Sequence, residues 1–277
     1  MIHEHAPETH HFPRFDLLKL TPEKPISPIP VLVAPGFGSN AESYQLLMEV
    51  LSVRGFIAMC PNYEYGMRGE PRKFLVLPDV DKAKQQVLLA AIQAEGYPNE
   101  QGVKQVNVVA HSKGAFDVAS VAIEHPEHFR NIIMVAPGNL RPKMSILQGI
   151  RTLSRSDHRD KEDKARLVAE GGDVARRVLA NNAYGASYKS DRMRYLVEGF
   201  TSATKSMQDF IPELRRRGVR VMIVAQTDDA FYSPESFGFI RDSIDGFVQV
   251  PGIHGEIKFR PDVSQRVSDL LQSLEAA

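Results

Sequence analysis

The stretch Val106-Asn-Val-Val-Ala-His-Ser-Lys-Gly-Ala-Phe-Asp-Val118 constrains the chain more than any other. Residues 106–110 are a short apolar run that reads as a buried strand. The pattern turns helical at Gly114, leaving only His111-Ser112-Lys113 for the turn between them. A strand that passes into a helix through so few residues crowds backbone against backbone on both sides of the serine. Positions two before and two after it have no room for a large side chain, and Ala110 and Gly114 meet that condition. The serine is then pushed into a strained backbone conformation with its hydroxyl exposed above a sheet edge. An ordinary strand–helix junction with a serine cap gives the same pentapeptide, so the other parts of a reaction centre must decide between the two.

Around this stretch, strand and helix alternate. Apolar runs at 15–20, 30–34, 56–60, 131–136, 219–225 and 247–250 predict strands. Amphipathic stretches at 41–54, 79–95, 114–124, 206–217, 233–244 and 262–274 predict helices. The strand runs are continuously apolar, which is the pattern of a parallel sheet covered on both faces. The expected class is α/β, a doubly wound, mostly parallel sheet. Residues 1–140 and 206–277 form its core, with 1–14 a mobile tail.

Residues 141–205 differ in character. They carry 14 Lys and Arg against 8 Asp and Glu and no strand-like run. Short helices are expected near 145–154, 161–180 and 191–201, making this an inserted helical unit. Its excess of positive charge fits an anionic substrate or partner surface, and equally a solvated helical face.

The whole chain balances 34 Lys and Arg against 34 Asp and Glu, so no global field draws in nucleic acid. It has no apolar run long enough for a membrane span. Its amino-terminal residues are polar, without the apolar core of a secretory signal, and Cys60 is its single cysteine. A cytoplasmic location is the default expectation. His3, His5, His10 and His11 read as part of a polar tail rather than a metal site, because no cysteine or carboxylate spacing closes a ligand set. Cys60, at a strand end, reads as a small buried hydrophobe.

A serine hydroxyl is a weak nucleophile until a base takes its proton, and the base needs an acid to orient it. In a parallel sheet these groups must lie at the carboxyl ends of strands, beside Ser112. The run 219–225 is followed by Gln226-Thr-Asp-Asp229, and 247–250 by Pro251-Gly-Ile-His254. An acid and a histidine thus follow consecutive late strands. The glycine-rich turn Pro35-Gly-Phe-Gly38 ends an early strand and can present the Phe37 amide to a developing oxyanion. The Lys113 amide, at a helix start, supplies a second donor.

With these four features on one sheet edge, the chain resembles the α/β-hydrolase superfamily over nearly its whole length outside 1–14 and the insertion. Pro35-Gly-Phe-Gly38 is similar to the family's oxyanion turn and Ala110-His-Ser-Lys-Gly114 to its nucleophile elbow. Val221–Asp229 resembles the strand that ends in the family acid, and Gly252-Ile-His254 the segment bearing its histidine. The resemblance implies Ser112, Asp229 and His254 as a catalytic triad and 141–205 as a mobile cap over the pocket. It implies a small-molecule acyl substrate and neither cofactor nor metal. Pro35 stands where the family has His, Ala110 where it has the first elbow Gly, and Gln226 where the acid loop has Gly. The last departure leaves Asp228 as the alternative acid, although an ungapped strand alignment favours Asp229. Gly36, Gly38, Tyr63, Tyr65 and His111 are candidate pocket residues, Tyr63 and Tyr65 equally suited to packing. His111 is better suited to bracing the elbow than to proton transfer. The Lys113 side chain is expected in a salt bridge to a loop acid such as Glu64.

Overall fold

The computed structural model describes residues 7–12, 15–63, 77–140, 146–190 and 206–276, with the backbone alone at 77–80, 146–157 and 184–190. Its strands are β1 (Glu8–Phe12), β2 (Phe15–Leu20), β3 (Val31–Ala34), β4 (Ala58–Asn62), β5 (Tyr97–Pro98), β6 (Lys104–His111), β7 (Phe129–Val135), β8 (Arg220–Gln226) and β9 (Gly246–Val250). Its α-helices are α1 (Gln45–Val53), α2 (Leu77–Glu95), α3 (Lys113–Glu124), α4 (Ile146–Glu170), α5 (Gly172–Ser190), α6 (Phe210–Arg216) and α7 (Pro261–Ala276). The sheet order is β1-β2-β4-β3-β6-β7-β8-β9, with short β5 beside β6. From β4 to β9 the neighbours run parallel, and β2 and β1 add an antiparallel edge.

Successive residues of each central strand enter opposite cores, which is why these strands read as unbroken apolar runs. Val31, Val33, Val109, Ile133, Val135 and Val224 pack with α1 and α7 through Leu47, Leu51, Val263, Val267 and Leu271. Leu32, Ala34, Val108, Ala110, Ile132, Met134 and Ile223 pack with α2, α3 and α6 through Leu88, Ile92, Val118, Ala122, Ile211 and Leu214. Cys60 is fully buried in the first of these cores, and burial pushes its thiol pKa up. The register aligns Ala34 with Ala110, His111 with Val135, Val135 with Val224, and Gln226 with Val250. The carboxyl ends of β3, β6, β8 and β9 therefore finish at one level, and their loops share one edge.

Three expectations change. Part of the predicted tail is β1, which pairs with β2 along its full length. It is held by Phe12 stacked on Phe15 at 4.7 Å between ring centroids and by His11 bonded to Asp16 at 2.7 Å. His10 lies 3.4 Å from Glu95, so two of the four histidines serve local ion pairs, while His3 and His5 fall outside the described residues.

The first helix of the insertion is longer than expected. α4 continues through the polar stretch 155–164, where apolar periodicity lapses but pairs such as Lys164–Asp160 at 2.5 Å bridge successive turns. It ends at Glu170, and the following Gly171 and Gly172, both with left-handed φ (77° and 63°), divide the helix expected over 161–180. The helix expected at 191–201 lies outside the described residues. Residues Pro234–Ser243 form a run of 3-10 turns instead of an α-helix, in a segment that contains Gly238 and three aromatic or β-branched residues.

Leu167 and Val178 of the insertion pack on Phe259, just after the β9 loop, with Val168, Val174 and Ile253 around them. Among the described residues no helix is long and apolar enough to cross a membrane. At the opposite end of the sheet, Glu275 receives bonds from Ser27, Asn107 and Asn131. An open pocket of about 560 Å³ lies there, lined by residues including Ile26, Tyr97, Arg130 and Glu275. It is remote from the strand ends that carry Ser112 and His254.

Candidate active site

Ser112 is the junction between β6 and α3, with φ 53° and ψ −125°. Such a conformation for a residue with a Cβ persists only where its surroundings over-determine it. They do so here. The Ser112 amide donates to the Val135 carbonyl at 3.0 Å, and its carbonyl accepts from Gly138 at 2.8 Å and from Ala115 at 3.1 Å. A Cβ at Gly114 would stand 2.4 Å from the Ala34 carbonyl oxygen, so the small residue after the serine is a matter of backbone contact. The loop beyond β7 that backs this turn holds two further left-handed residues, Ala136 and Asn139 (φ 46° and 65°), a feature without a sequence signal.

The β9 loop brings His254 to Ser112, with Nε2 2.8 Å from the hydroxyl Oγ. The other ring nitrogen, Nδ1, lies 2.8 Å from Asp229 Oδ2. That carboxylate is buried, and its Oδ1 accepts the amides of Phe231 at 2.7 Å and Tyr232 at 3.0 Å. A carboxylate oxygen can only accept, so Nδ1 carries the ring proton and Nε2 is left to accept from Ser112. Phe231 and Tyr232 also flank the imidazole, at 4.8 and 5.7 Å between ring centroids. Asp228 turns elsewhere: its Oδ2 accepts from Thr227 Oγ1 at 3.0 Å and from the Gly252 amide at 3.4 Å, bracing the β9 loop.

The Gly36–Phe37 turn lies against the serine. A Cβ at Gly36 would sit 3.0 Å from Ser112 Cβ and 3.1 Å from His111 Nδ1. Gly36 thus brings its turn against Ser112, which Lys113 follows in the chain, and Gly38 completes the turn with φ 62°.

His111 is 3% exposed, with both ring nitrogens engaged. Nδ1 is 2.7 Å from the Tyr44 hydroxyl and Nε2 is 2.7 Å from the His254 carbonyl. Burial first, then the neighbouring His254 and Lys258, lowers its pKa well below the usual imidazole range. Tyr44 is fully buried as well. Its hydroxyl accepts the Gly36 amide at 2.9 Å, and burial raises its pKa.

The Lys113 side chain points away from this edge into a buried ion cluster, 2.7 Å from Asp81 and 3.0 Å from Asp117. Helix acids thus take the part expected of a loop acid, and Glu64 lies outside the described residues. Tyr63 is buried with Lys84 5.2 Å over its ring, in packing rather than at an open surface, while Tyr65 lies outside the described residues.

Four participants escaped the sequence reading: Tyr44, Asp81, Glu256 and Lys258. Glu256 folds back over Gly252, and burial raises its pKa to about 7 in spite of Arg260. Lys258 Nζ reaches Ser39 at 3.3 Å and Asn181 of α5 at 3.2 Å. Burial, with Lys164 adding to it, brings its pKa down to about 7.

No family model matches the sequence, and no curated protein matches it either. Solved structures do match in shape. A bacterial membrane phospholipase A is 15% identical, with 98% of this chain and 87% of that one aligned at a TM-score of 0.66. A thermophilic esterase from Thermogutta terrifontis is 14% identical over 97% and 99% of the two chains, with a TM-score of 0.62. An α/β-hydrolase-fold protein from Chitinophaga pinensis is 18% identical over 96% and 97%, with a TM-score of 0.61. Likeness across nearly the full length at so low an identity is likeness of architecture, and by its architecture this chain has the α/β-hydrolase fold.

Proposed function

We propose that the protein is a serine hydrolase that cleaves a carboxylic ester or related acyl bond of a small to medium substrate, by way of an acyl-enzyme on Ser112. The observation that carries this reading is the continuous pair of 2.8 Å contacts from Ser112 Oγ to His254 and from His254 to Asp229. Attack by Oγ on the substrate carbonyl transfers the hydroxyl proton to His254 Nε2. The carboxylate of Asp229 holds the resulting imidazolium in place.

In this reading the carbonyl oxygen, now negative, accepts from the Phe37 and Lys113 amides, whose fixed dipoles stabilise it without reorganisation. His254 then returns its proton to the leaving alkoxide. Water, deprotonated by the same imidazole, releases the acid product and restores Ser112. Side chains, amides and water balance every step, and no cofactor or metal enters. The insertion, docked through Leu167 of α4 and Val178 of α5 beside the His254 loop, takes the part of a cap. The esterase and phospholipase among the structural neighbours act on acyl bonds, which agrees with this chemistry.

The test is turnover of p-nitrophenyl esters from acetate to decanoate by wild type and Ser112→Ala, with fluorophosphonate labelling of both. Turnover and labelling that vanish in the variant support the reading, and the chain-length optimum sizes the pocket. If wild type is inert to esters yet labels at Ser112, thioesters, C–C substrates and peptides are the next candidates. No labelling, with saturable binding of small molecules, would move the protein to a non-catalytic ligand receptor.

A further inference from the structure

We infer that Tyr44 and His111 act as a positioning pair, which locks the turn bearing one oxyanion donor to the main chain of the general base. The inference rests on the acyl-transfer reading above and assigns two residues that this reading does not use.

The hydrogen bonds run in one direction only. The Gly36 amide donates to Tyr44 Oη at 2.9 Å, so the single phenolic hydrogen is free to point onward to His111 Nδ1 at 2.7 Å. The His254 carbonyl, 2.7 Å from His111 Nε2, can only accept, so Nε2 must carry the imidazole hydrogen and Nδ1 must be bare. Each bond requires the next. The chain reads Gly36 N–H to Tyr44 O–H to His111 Nδ1, and His111 Nε2–H to the carbonyl of His254.

It joins three segments that lie far apart in the sequence, at residues 36, 111 and 254. Gly36 precedes Phe37, whose amide must face the oxyanion. His111 precedes the nucleophile, and the bonded carbonyl belongs to the base itself. Asp229 fixes only the ring end of His254, and His111 fixes the backbone end, its own ring 5.1 Å away.

The neutral state of His111 is part of the device. An imidazolium there would turn Nδ1 into a donor and break the link to Tyr44. It would also oppose the positive charge that His254 acquires in the transition state. Complete burial and the nearby Lys258 both disfavour it. The Gly36–Tyr44 and Tyr44–His111 bonds are buried and the His111–His254 bond is part-buried, so losing either of the first two leaves a polar group that solvent does not readily replace.

The experiment compares wild type with Tyr44→Phe, His111→Gln and His111→Asn. The phenylalanine variant removes only the hydroxyl. Glutamine can keep the donor to the His254 carbonyl without the acceptor for Tyr44, whereas asparagine can keep the acceptor without that donor. Rates with p-nitrophenyl acetate are referred to the concentration of sites titrated by fluorophosphonate, so unfolded protein drops out. In parallel, proton NMR follows the low-field resonance of the His254 Nδ1–H.

The expected result is a kcat per titrated site lowered on the order of ten- to a hundredfold with KM changed less than about threefold, and a broadened or shifted Nδ1–H signal. A purely structural pair would lower the melting temperature and leave kcat per site and the NMR signal as in wild type. That outcome in both Tyr44→Phe and His111→Gln overturns the inference. If wild type itself neither turns over ester nor labels, the acyl-transfer reading fails. The NMR comparison then decides positioning by itself: an unchanged Nδ1–H signal in Tyr44→Phe rejects it.

Discussion

Asp228 and Asp229 are adjacent and chemically identical, yet the fold gives them opposite surroundings. Asp229 is buried under two amides and holds the ring of His254, whereas Asp228 is open to solvent and ties the β9 loop to Thr227. Both lie beyond β8, where the Asp229 amide closes a turn onto the Gln226 carbonyl at 3.3 Å and the Asp228 amide bonds the Gly252 carbonyl at 2.9 Å, so the turn and not the strand pattern decides which of the two faces inward. The sequence made the order Ser, Asp, His legible because each residue follows an apolar run. It could favour one acid only through an alignment. Asp229→Asn should lower kcat about 10³–10⁴-fold, through loss of the correct imidazole tautomer, while Asp228→Asn should stay within about threefold of wild type. A steady-state comparison with p-nitrophenyl acetate checks this, and the reverse ranking would reassign the acid. Tyr44 was invisible at this scale. It lies in a helical stretch where an aromatic residue signals core packing, and its role depends on partners 8 and 67 residues away.

Between elements, the sheet was readable and its fastenings were not. Continuous apolar runs mark strands because both faces of this sheet are covered. The two strands outside that rule, β1 and β5, are short or polar and leave no apolar run to read. The first insertion helix runs well past the stretch expected for it, since ion pairs on a solvated face leave no apolar period to count. Lys113 belongs to the same class of hidden fastening. Its ammonium and the carboxylates of Asp81 and Asp117 are at most 2% exposed, and they join α2 to α3 below the turn that carries Ser112. Removing one partner of a buried ion cluster costs about 3–5 kcal/mol, and here Lys84, also buried, is the cation that still acts on Asp117. Lys113→Ala should therefore lose stability of that order in urea denaturation at pH 7. The loss should shrink in acid, where the stranded carboxylates take up protons, and a loss below about 1 kcal/mol would show that the cluster is hydrated.

Taken as a whole, the molecule places two buried ionisable groups just beyond His254, and their pH dependences oppose one another. Glu256 titrates near 7 when folded, above its ordinary 4.5, because it is buried. The folded state holds the proton more tightly, so this stabilisation is complete below pH 4.5 and is lost as pH rises through 7. Lys258 titrates near 7 when folded, below its ordinary 10.5. There the unfolded chain holds the proton more tightly, so the penalty is complete below pH 7 and is relieved as pH rises toward 10.5. The two curves meet at neutrality, where the benefit from Glu256 has gone and the penalty from Lys258 is undiminished. The segment between β9 and α7 is thus least secure near pH 7, although it carries His254 and receives the insertion through Phe259. Difference curves from urea denaturation isolate each group. The stability of wild type relative to Glu256→Gln should fall between pH 4.5 and 7 and then level. Relative to Lys258→Met, it should be level up to pH 7 and rise from there to pH 10. The double variant should exceed wild type most at pH 7. A flat difference curve for either residue would mean that water reaches the group, and that the ionisable pair beyond His254 costs the fold nothing.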